Sequence, residues 1–243
     1  MEQIEYPIRL NRYLYLKNYC SRRQADTFIE KGLVKINGKK AILGQKVHKN
    51  DVVEINDYIQ KRKENFVYFI FNKPAGIVTR NPQKGEKTID AVFPKAKQLK
   101  LHPIGSLDKA STGLVFLTND TRIVDRMLSP KYHHEKEYRV RVDKSLATMT
   151  DFAQKMSRGV NIEGYKTKKC EIEITGDRSF KIILTEGKKH QIRRMCAALG
   201  YQVKELKRTR IMNIKLGTQL REGTGRELTV TEKMGLLKEV GVM

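Results

Sequence analysis

His102-Pro103-Ile104-Gly105-Ser106-Leu107-Asp108-Lys109-Ala110-Ser111-Thr112-Gly113-Leu114, continuing into Val115-Phe116-Leu117-Thr118-Asn119, is the stretch on which the reading of this chain turns. It joins a glycine turn, a lone carboxylate and an apolar run. Residues 115–118 have the character of a buried strand, and the polar stretch before them reads as a tight loop. Asp108 has two readings on such a loop. It can cap a turn, as most isolated Asp residues before polar stretches do, or it can be a reactive group. Nothing inside the segment separates the two.

Around this stretch, residues 66–243 alternate short strands and helices. Strands are predicted over 66–71, 115–118, 138–142, 170–174 and 180–185, the first closed by Asn72-Lys73-Pro74-Ala75-Gly76, where Pro and Gly force a turn. Helices are predicted over 121–128, 147–157, 188–199 and about 230–238. Strands and helices mix without a regular βαβ repeat, so the expected class is α+β with a mixed, mainly antiparallel sheet. Neither a Walker loop nor a G-x-G-x-x-G fingerprint is present, so no nucleotide cofactor is expected. Two further segments stand out, Glu135-Lys136-Glu137-Tyr138 and Lys189-His190-Gln191-Ile192-Arg193-Arg194-Met195. Taken singly, Tyr138 reads as a strand residue packing its ring in the core and Arg193 as a solvated helix face.

Upstream, residues 7–57 form a separate unit. Leu10, Tyr13 and Leu14 suit a short amphipathic helix ending near Asn18. Ser21 and Gln24 have capping-box spacing, Ala25, Phe28 and Ile29 form an apolar stripe, and Gly32 stands where a helix C-terminus favours a left-handed residue. Val34 and Ile36 alternate with Lys35 into Asn37-Gly38, a strong hairpin signal, and Val53 and Ile55 supply a later strand. Arg22, Arg23, Lys31, Lys35, Lys39 and Lys40 crowd this scaffold. Residues 58–65, with Lys61-Arg62-Lys63-Glu64-Asn65, lack apolar periodicity and read as a charged linker to the second domain, 66–243.

The whole chain has 243 residues, and its 49 Lys and Arg against 27 Asp and Glu leave a net charge of +22 spread from Arg9 to Lys238. A basic surface of this kind attracts polyanions, with nucleic acid the leading partner and an anionic membrane the second. The membrane reading finds no apolar run of about 18 residues and no lipidation pattern to support it. A monomer working in the cytoplasm is expected. Cys20, Cys170 and Cys196 are odd in number and free of C-x-x-C pairing, which predicts reduced thiols and no zinc knuckle. His133, His134 and Glu135 are neighbours whose side chains diverge, so no metal site is expected there.

Ser-Arg-Arg-Gln-Ala-Asp at 21–26 followed by Gly-Leu-Val-Lys-Ile-Asn-Gly at 32–38 resembles the S4 RNA-binding domain, an αL-type module of two helices and a small sheet. The resemblance implies recognition of RNA shape and phosphate. With Asn72-Lys73-Pro74-Ala75-Gly76, the Asp108 stretch and the Tyr138 and Arg193 segments resemble the RsuA-type pseudouridine synthases, in which an S4 domain precedes a catalytic domain. His134 to Tyr138, Cys196, and Arg208-Thr209-Arg210-Ile211-Met212-Asn213 are similar to the RluB and RluF branch acting on large-subunit ribosomal RNA, free or in an assembling particle.

That resemblance implies isomerisation of uridine. The C1′–N1 bond breaks, the uracil turns over and C5 rejoins C1′, which needs neither metal nor cofactor. Asp108 becomes the nucleophile or cation stabiliser, Arg193 its ionic partner, and Tyr138 the ring that stacks on the uracil. Lys73, Lys109, Lys189 and Arg194 join Arg22, Arg23, Lys31, Lys35 and Lys39 as expected RNA contacts. Ser106 departs from the pattern, since the family carries Arg before Leu-Asp; Arg80 or Lys109 are the nearby cations able to compensate. Two other readings stand beside this one, a non-catalytic RNA-binding or ribosome assembly factor with a weakened site and a synthase directed to tRNA.

Overall fold

In the computed structural model, which describes residues 4–61 and 65–242, the chain from residue 8 to 61 folds as β1 (Ile8–Arg9), α1 (Leu10–Leu16), α2 (Arg22–Glu30), β2 (Val34–Ile36), β3 (Lys39–Lys40), β4 (Lys46–Val47), β5 (Val53–Ile55) and α3 (Asp57–Lys61). The Ser21 hydroxyl accepts from the Gln24 amide at 3.4 Å and caps α2, whose Ala25, Phe28 and Ile29 face inward as their spacing predicts. Asn37 and Gly38 both have positive φ, the condition for a tight hairpin turn, and β2 pairs with β3 on one side and β5 on the other. Leu10, Leu14, Phe28, Val34 and Val47 form the core of this module.

The linker expected at 58–65 is replaced over its first residues by α3. Ile59 is buried among the S4-like core residues, and the Asn56 carbonyl and side chain accept from the amides of Ile59 and Tyr58 at 2.9 Å each. One inward apolar side chain in a charged stretch leaves no periodicity to read, which is why the helix is not evident in the sequence. Residues 62–64 of the expected linker lie outside the described residues.

The second domain runs through β6 (Tyr68–Lys73), α4 (Ile89–Val92), α5 (Pro94–Gln98), β7 (His102–Ile104), β8 (Thr112–Thr118), α6 (Val124–Leu128), β9 (Lys136–Val142), α7 (Phe152–Ser157), β10 (Asn161–Ile162), β11 (Tyr165–Lys166), β12 (Glu171–Gly176), β13 (Ser179–Leu184), α8 (Gln191–Ala198), β14 (Val203–Ile211), β15 (Ile214–Lys215), β16 (Gly225–Glu227) and α9 (Val230–Glu239). Its main sheet has the order β12-β13-β9-β14-β8-β6-β16, with β15 added to β14 and β7 to β8. Every pairing in it is antiparallel except β14 with β8. The fold is α+β with a mixed, mainly antiparallel sheet.

β6 and β8 are covered on both faces, which explains their unbroken apolar runs. Phe69, Phe71, Val115 and Leu117 pack with Ile77, Ile89 and Leu107, while Tyr68, Ile70, Leu114 and Phe116 pack with Ile123, Ile211 and Leu236. Under β9 and β13 lies another core built on Val140, Phe152, Phe180, Ile182, Met195 and Cys196. Several expected boundaries shift. The helix expected over 121–128 is limited to Val124–Leu128, and that over 147–157 divides into a 3-10 turn at Leu146–Thr148 and α7.

Gly113 marks the parallel contact. Its φ is +101°, and a Cβ placed on it lies 2.3 Å from the Arg208 carbonyl oxygen across the β8–β14 pair. Neither backbone can yield without parting the two central strands. We expect Gly113→Ala to destabilise the fold by more than about 3 kcal/mol, read as a lower denaturant midpoint with an unchanged slope.

Candidate active site

The loop from Gly105 to Ser111 is held from behind by side chains from three distant parts of the chain. Thr79, buried, donates its hydroxyl to the Leu107 carbonyl at 2.8 Å and accepts from the Leu107 amide at 3.2 Å. Arg208, on β14, donates through Nε to the Leu114 carbonyl at 2.7 Å and through its two terminal nitrogens to the carbonyls of Ser106 and Gly105 at 3.4 Å. Lys73, at the end of β6, donates to the carbonyls of Pro74 at 3.0 Å, Ile77 at 2.8 Å and Lys109 at 3.3 Å. The loop backbone is thereby satisfied on its inner side, and the Asp108 side chain is left facing outward.

Two groups from the start of α8 meet that carboxylate. His190 Nε2 lies 3.5 Å from Asp108 Oδ1, and Arg193 Nε lies 3.7 Å from Oδ2. The Arg193 guanidinium is fixed by its other nitrogens, which donate to the Val203 carbonyl at 3.1 Å and to the buried Ser111 hydroxyl at 3.3 Å. His190 precedes α8 in the left-handed conformation with φ +53°, which turns the chain sharply into the helix. The turn is anchored by buried Glu186, whose carboxylate accepts from Gln191 Nε2 at 2.8 Å, the Tyr165 hydroxyl at 2.6 Å and the Lys168 amide at 2.9 Å.

Asp108 lies in a cavity of about 510 Å³ whose lining includes Tyr138, Leu184, Ile192 and Leu206. A volume of this order accommodates a nucleoside-sized ligand. Tyr138 projects from β9, partly buried between two of the cores, beside the Asp108 loop. Its neighbour Lys136 donates to the His134 carbonyl at 3.0 Å, and its ammonium is pushed below the usual lysine range by burial and by the charge of Arg208. The pocket therefore combines one outward carboxylate, a ring and apolar walls, with cations at its mouth.

A model of RNA pseudouridylate synthase matches residues 67–198, and one of the S4 domain matches residues 8–53. The chain belongs to the RNA pseudouridylate synthase family. Among curated relatives, the dual-specificity RNA pseudouridine synthase RluF of Escherichia coli K12 is 43% identical over 234 residues, covering 95% of this chain and 79% of the relative. The ribosomal large subunit pseudouridine synthase B of Bacillus subtilis is 34% identical, covering 92% of this chain and 93% of the relative. The ribosomal small subunit pseudouridine synthase A of Haemophilus influenzae is also 34% identical, over 95% of this chain and the whole of the relative. A crystal structure of a pseudouridylate synthase superposes with a TM-score of 0.69 at 32% identity, covering 94% of this chain and 99% of the other. The synthase is an isomerase that takes RNA as substrate. No helix among the described residues is long and apolar enough to cross a membrane.

The structure brings Asp108, Tyr138 and Arg193 of this synthase together although they are far apart in sequence. It also adds His190, Thr79 and Arg208, which sequence reasoning missed in this site. His190 sits in a segment already singled out, but its left-handed turn toward Asp108 has no local signature. Of the residues expected to contact RNA, Arg22, Arg23, Lys31, Lys35 and Lys39 are exposed on the first module, and Lys189 is exposed at the pocket mouth. Lys109 is exposed but pairs with Glu86 at 2.9 Å, and Arg194 pairs with Glu163 at 2.7 Å while donating to the Ile162 carbonyl. Ser106 is exposed at the rim. Arg80 lines the same pocket, its guanidinium directed to the Pro103 carbonyl.

Lys73 is a correction. It was expected to touch RNA, yet it is fully buried, with its ammonium spent on the three carbonyls behind the Asp108 loop. Burial lowers its pKa to about 8, against the opposing pull of Asp108 and with a further push from Arg208. Between pH 8 and 10.5 the unfolded chain keeps a proton on Lys73 that the folded chain releases, so folding stability gains from this group as pH rises. We expect the stability difference between wild type and Lys73→Met to move in favour of wild type by up to about 3 kcal/mol when denaturant midpoints are compared at pH 7.5 and 10. Parallel curves for the two proteins would refute the buried-ammonium assignment.

Proposed function

We propose that this synthase isomerises a specific uridine of ribosomal RNA, in the large subunit, with Asp108 as nucleophile, Arg193 as its ionic partner and Tyr138 as the stacking group. One observation carries the reading: Asp108 is a carboxylate turned into a nucleoside-sized pocket, with each oxygen facing a cation or imidazole from α8 and with Tyr138 beside it. The other carboxylate lining the pocket, Glu186, is already engaged by three donors.

In the reaction an Asp108 oxygen bonds to C1′ as the C1′–N1 pair leaves on the uracil. The freed base turns on Tyr138 until C5 faces C1′. C5 then displaces the carboxylate, loses its proton, and N1 gains one, so no atom is added or removed and Asp108 is regenerated. Stacking on the base is the main contribution we assign to Tyr138, with proton movement secondary. Exposing the uridine costs a few kcal/mol, which phosphate contacts along the basic surface offset. Arg80, reaching the rim where Ser106 is too short, is the cation we assign to the backbone next to the extruded nucleotide.

The relatives named for large-subunit and small-subunit ribosomal RNA are equally identical to this chain, so the choice of the large subunit rests on the RluB- and RluF-like segments at 134–138 and 208–213. A monomer acting in the cytoplasm on free RNA or an assembling particle fits this role. Mapping pseudouridine in RNA from cells with and without the gene tests it. The expected result is one large-subunit uridine that loses the modification and regains it when purified protein is added. Loss from tRNA alone, or no loss, overturns the assignment. RNA affinity is expected to fall steeply with salt as counterion release weakens, and salt-independent binding would count against the basic surface as the grip.

A further inference from the structure

The first module does not hang free. Asn18, just past the end of α1 with a left-handed φ of +59°, is gripped at both of its oxygens by arginines of the second domain. Arg122 Nη1 donates to its carbonyl at 3.3 Å, and Arg126 Nη2 donates to its side-chain oxygen at 2.7 Å. The Arg126 guanidinium also lies over the Tyr15 ring, 5.1 Å from the centroid. A second contact joins α2 to the same segment, from Thr121 Oγ1 to Gln24 Oε1 at 2.8 Å.

Both arginines are buried and braced from the catalytic side. Arg122 makes a two-pronged bond to fully buried Asp120, at 2.8 Å for each prong, and Asp120 also accepts from the Tyr68 hydroxyl at 2.7 Å. Arg126 donates to the Val240 carbonyl at 2.9 Å and to the Gly241 carbonyl after α9. Forked guanidinium contacts of this kind fix orientation as well as distance.

The segment carrying these arginines also reaches the pocket. Leu128, at the end of α6, lines the Asp108 cavity and lies against Gly105, while Arg126 two residues earlier reaches the first module. On the other side of the junction, exposed Arg22 and Arg23 stand beside Gln24 at a cleft shared with Thr121, Val124 and Asp125. One short helix therefore lines both the cleft beside the basic face of α2 and the pocket that holds the reacting carboxylate.

We propose that Arg122, Arg126 and Asn18 form a latch that holds the S4 module at a fixed offset from the pocket, making Arg126 a positioning residue for selection of the target uridine. The inference rests on the RNA-modifying function proposed above. Phosphates held by α2 and a uridine entering the pocket must belong to one RNA at a spacing the latch dictates. A short hairpin that fills only the pocket does not depend on that spacing; a long RNA that engages both surfaces does.

The test uses full-length protein with Arg126→Ala and, as a milder change, Asn18→Gly, which removes the side-chain acceptor while tolerating the positive φ. Conversion and binding are measured on unmodified ribosomal RNA and on a short hairpin containing the mapped uridine, with small-angle scattering as a readout of the domain arrangement. The expected result is an expanded scattering profile, hairpin conversion within about twofold of wild type, and a loss of about tenfold or more in affinity and conversion for the long RNA, with extra uridines modified. Equal losses on both RNAs would reduce Arg126 to a stability role, and unchanged values on both would remove the latch. If wild type converts neither RNA, the enzymatic reading fails by itself, and the latch is still decided by whether Arg126→Ala weakens binding of the long RNA selectively.

Discussion

Asp108→Asn is expected to abolish uridine conversion, by about four orders of magnitude or more in single-turnover rate, while RNA affinity stays within about twofold of wild type. The substitution keeps shape and removes only the charge, so the loop clamped by Thr79, Arg208 and Lys73 has no reason to move. An amide oxygen is too weak a nucleophile for C1′, and an amide nitrogen turned toward Arg193 or His190 would face donors with a donor. Affinity is spared because the exposed lysines and arginines of α2 and the β2–β3 hairpin lie elsewhere. Residual activity above a hundredth of wild type would end the assignment of Asp108 as nucleophile. A parallel loss of affinity would point instead to a carboxylate that shapes the pocket.

Arg208→Met carries the second large effect, and here two opposing terms must be weighed. The buried guanidinium is costly to desolvate, and removing it relieves its repulsion of Lys73 and Lys136, both of whose pKa values it pushes down. Against that, methionine leaves the carbonyls of Gly105, Ser106 and Leu114 facing an apolar side chain. Unsatisfied buried carbonyls cost about 1 to 3 kcal/mol each, which outweighs the relief, so a net loss of about 2 to 4 kcal/mol is expected in denaturant unfolding. The larger consequence is kinetic. A loop released at Gly105 and Ser106 lets Asp108 drift by an ångström or so, enough to lower the turnover number about a hundredfold while leaving KM nearly unchanged. Arg208→Lys should recover stability better than activity, since a lysine keeps the charge but lacks the three separate nitrogens with which the guanidinium spans Leu114, Ser106 and Gly105. Full activity in Arg208→Met would show that the loop holds its shape without the clamp.

Much of the fold is legible in the sequence where one physical signal dominates. The cap at Ser21, the stripe of Ala25, Phe28 and Ile29, and the Asn37-Gly38 turn are local, and each reads as it folds. β6 and β8 declare themselves because both of their faces are buried. β14 does not, although it is central. Its Lys204, Glu205, Lys207, Arg208 and Arg210 suggest a solvated segment, whereas Arg208 is buried on backbone carbonyls and Arg210 pairs with Glu135 at 2.8 Å. Charges satisfied by tertiary partners cannot be told from charges satisfied by water without those partners in view. Lys73 misleads for the same reason. Asp108, Tyr138 and Arg193 are readable only as a set through their motifs, while His190 and Thr79 enter through backbone geometry that no local pattern encodes.

The position of β14 in the chain sets an order on assembly. The strand at the middle of the sheet is made after both of its neighbours, β9 and β8, and Arg208 reaches back 94 residues to Leu114 and 103 to Gly105. Contacts of such long sequence separation form late, after the loop entropy of the intervening chain has been overcome. The first module needs none of them, because its core is drawn from residues 8–59. During translation the basic face therefore emerges on a module with its own core while the reacting carboxylate still lacks its clamp. On the function proposed above, the chain would acquire its affinity for RNA before its chemistry, and an interrupted chain ending before residue 203 is expected to occupy RNA without modifying it.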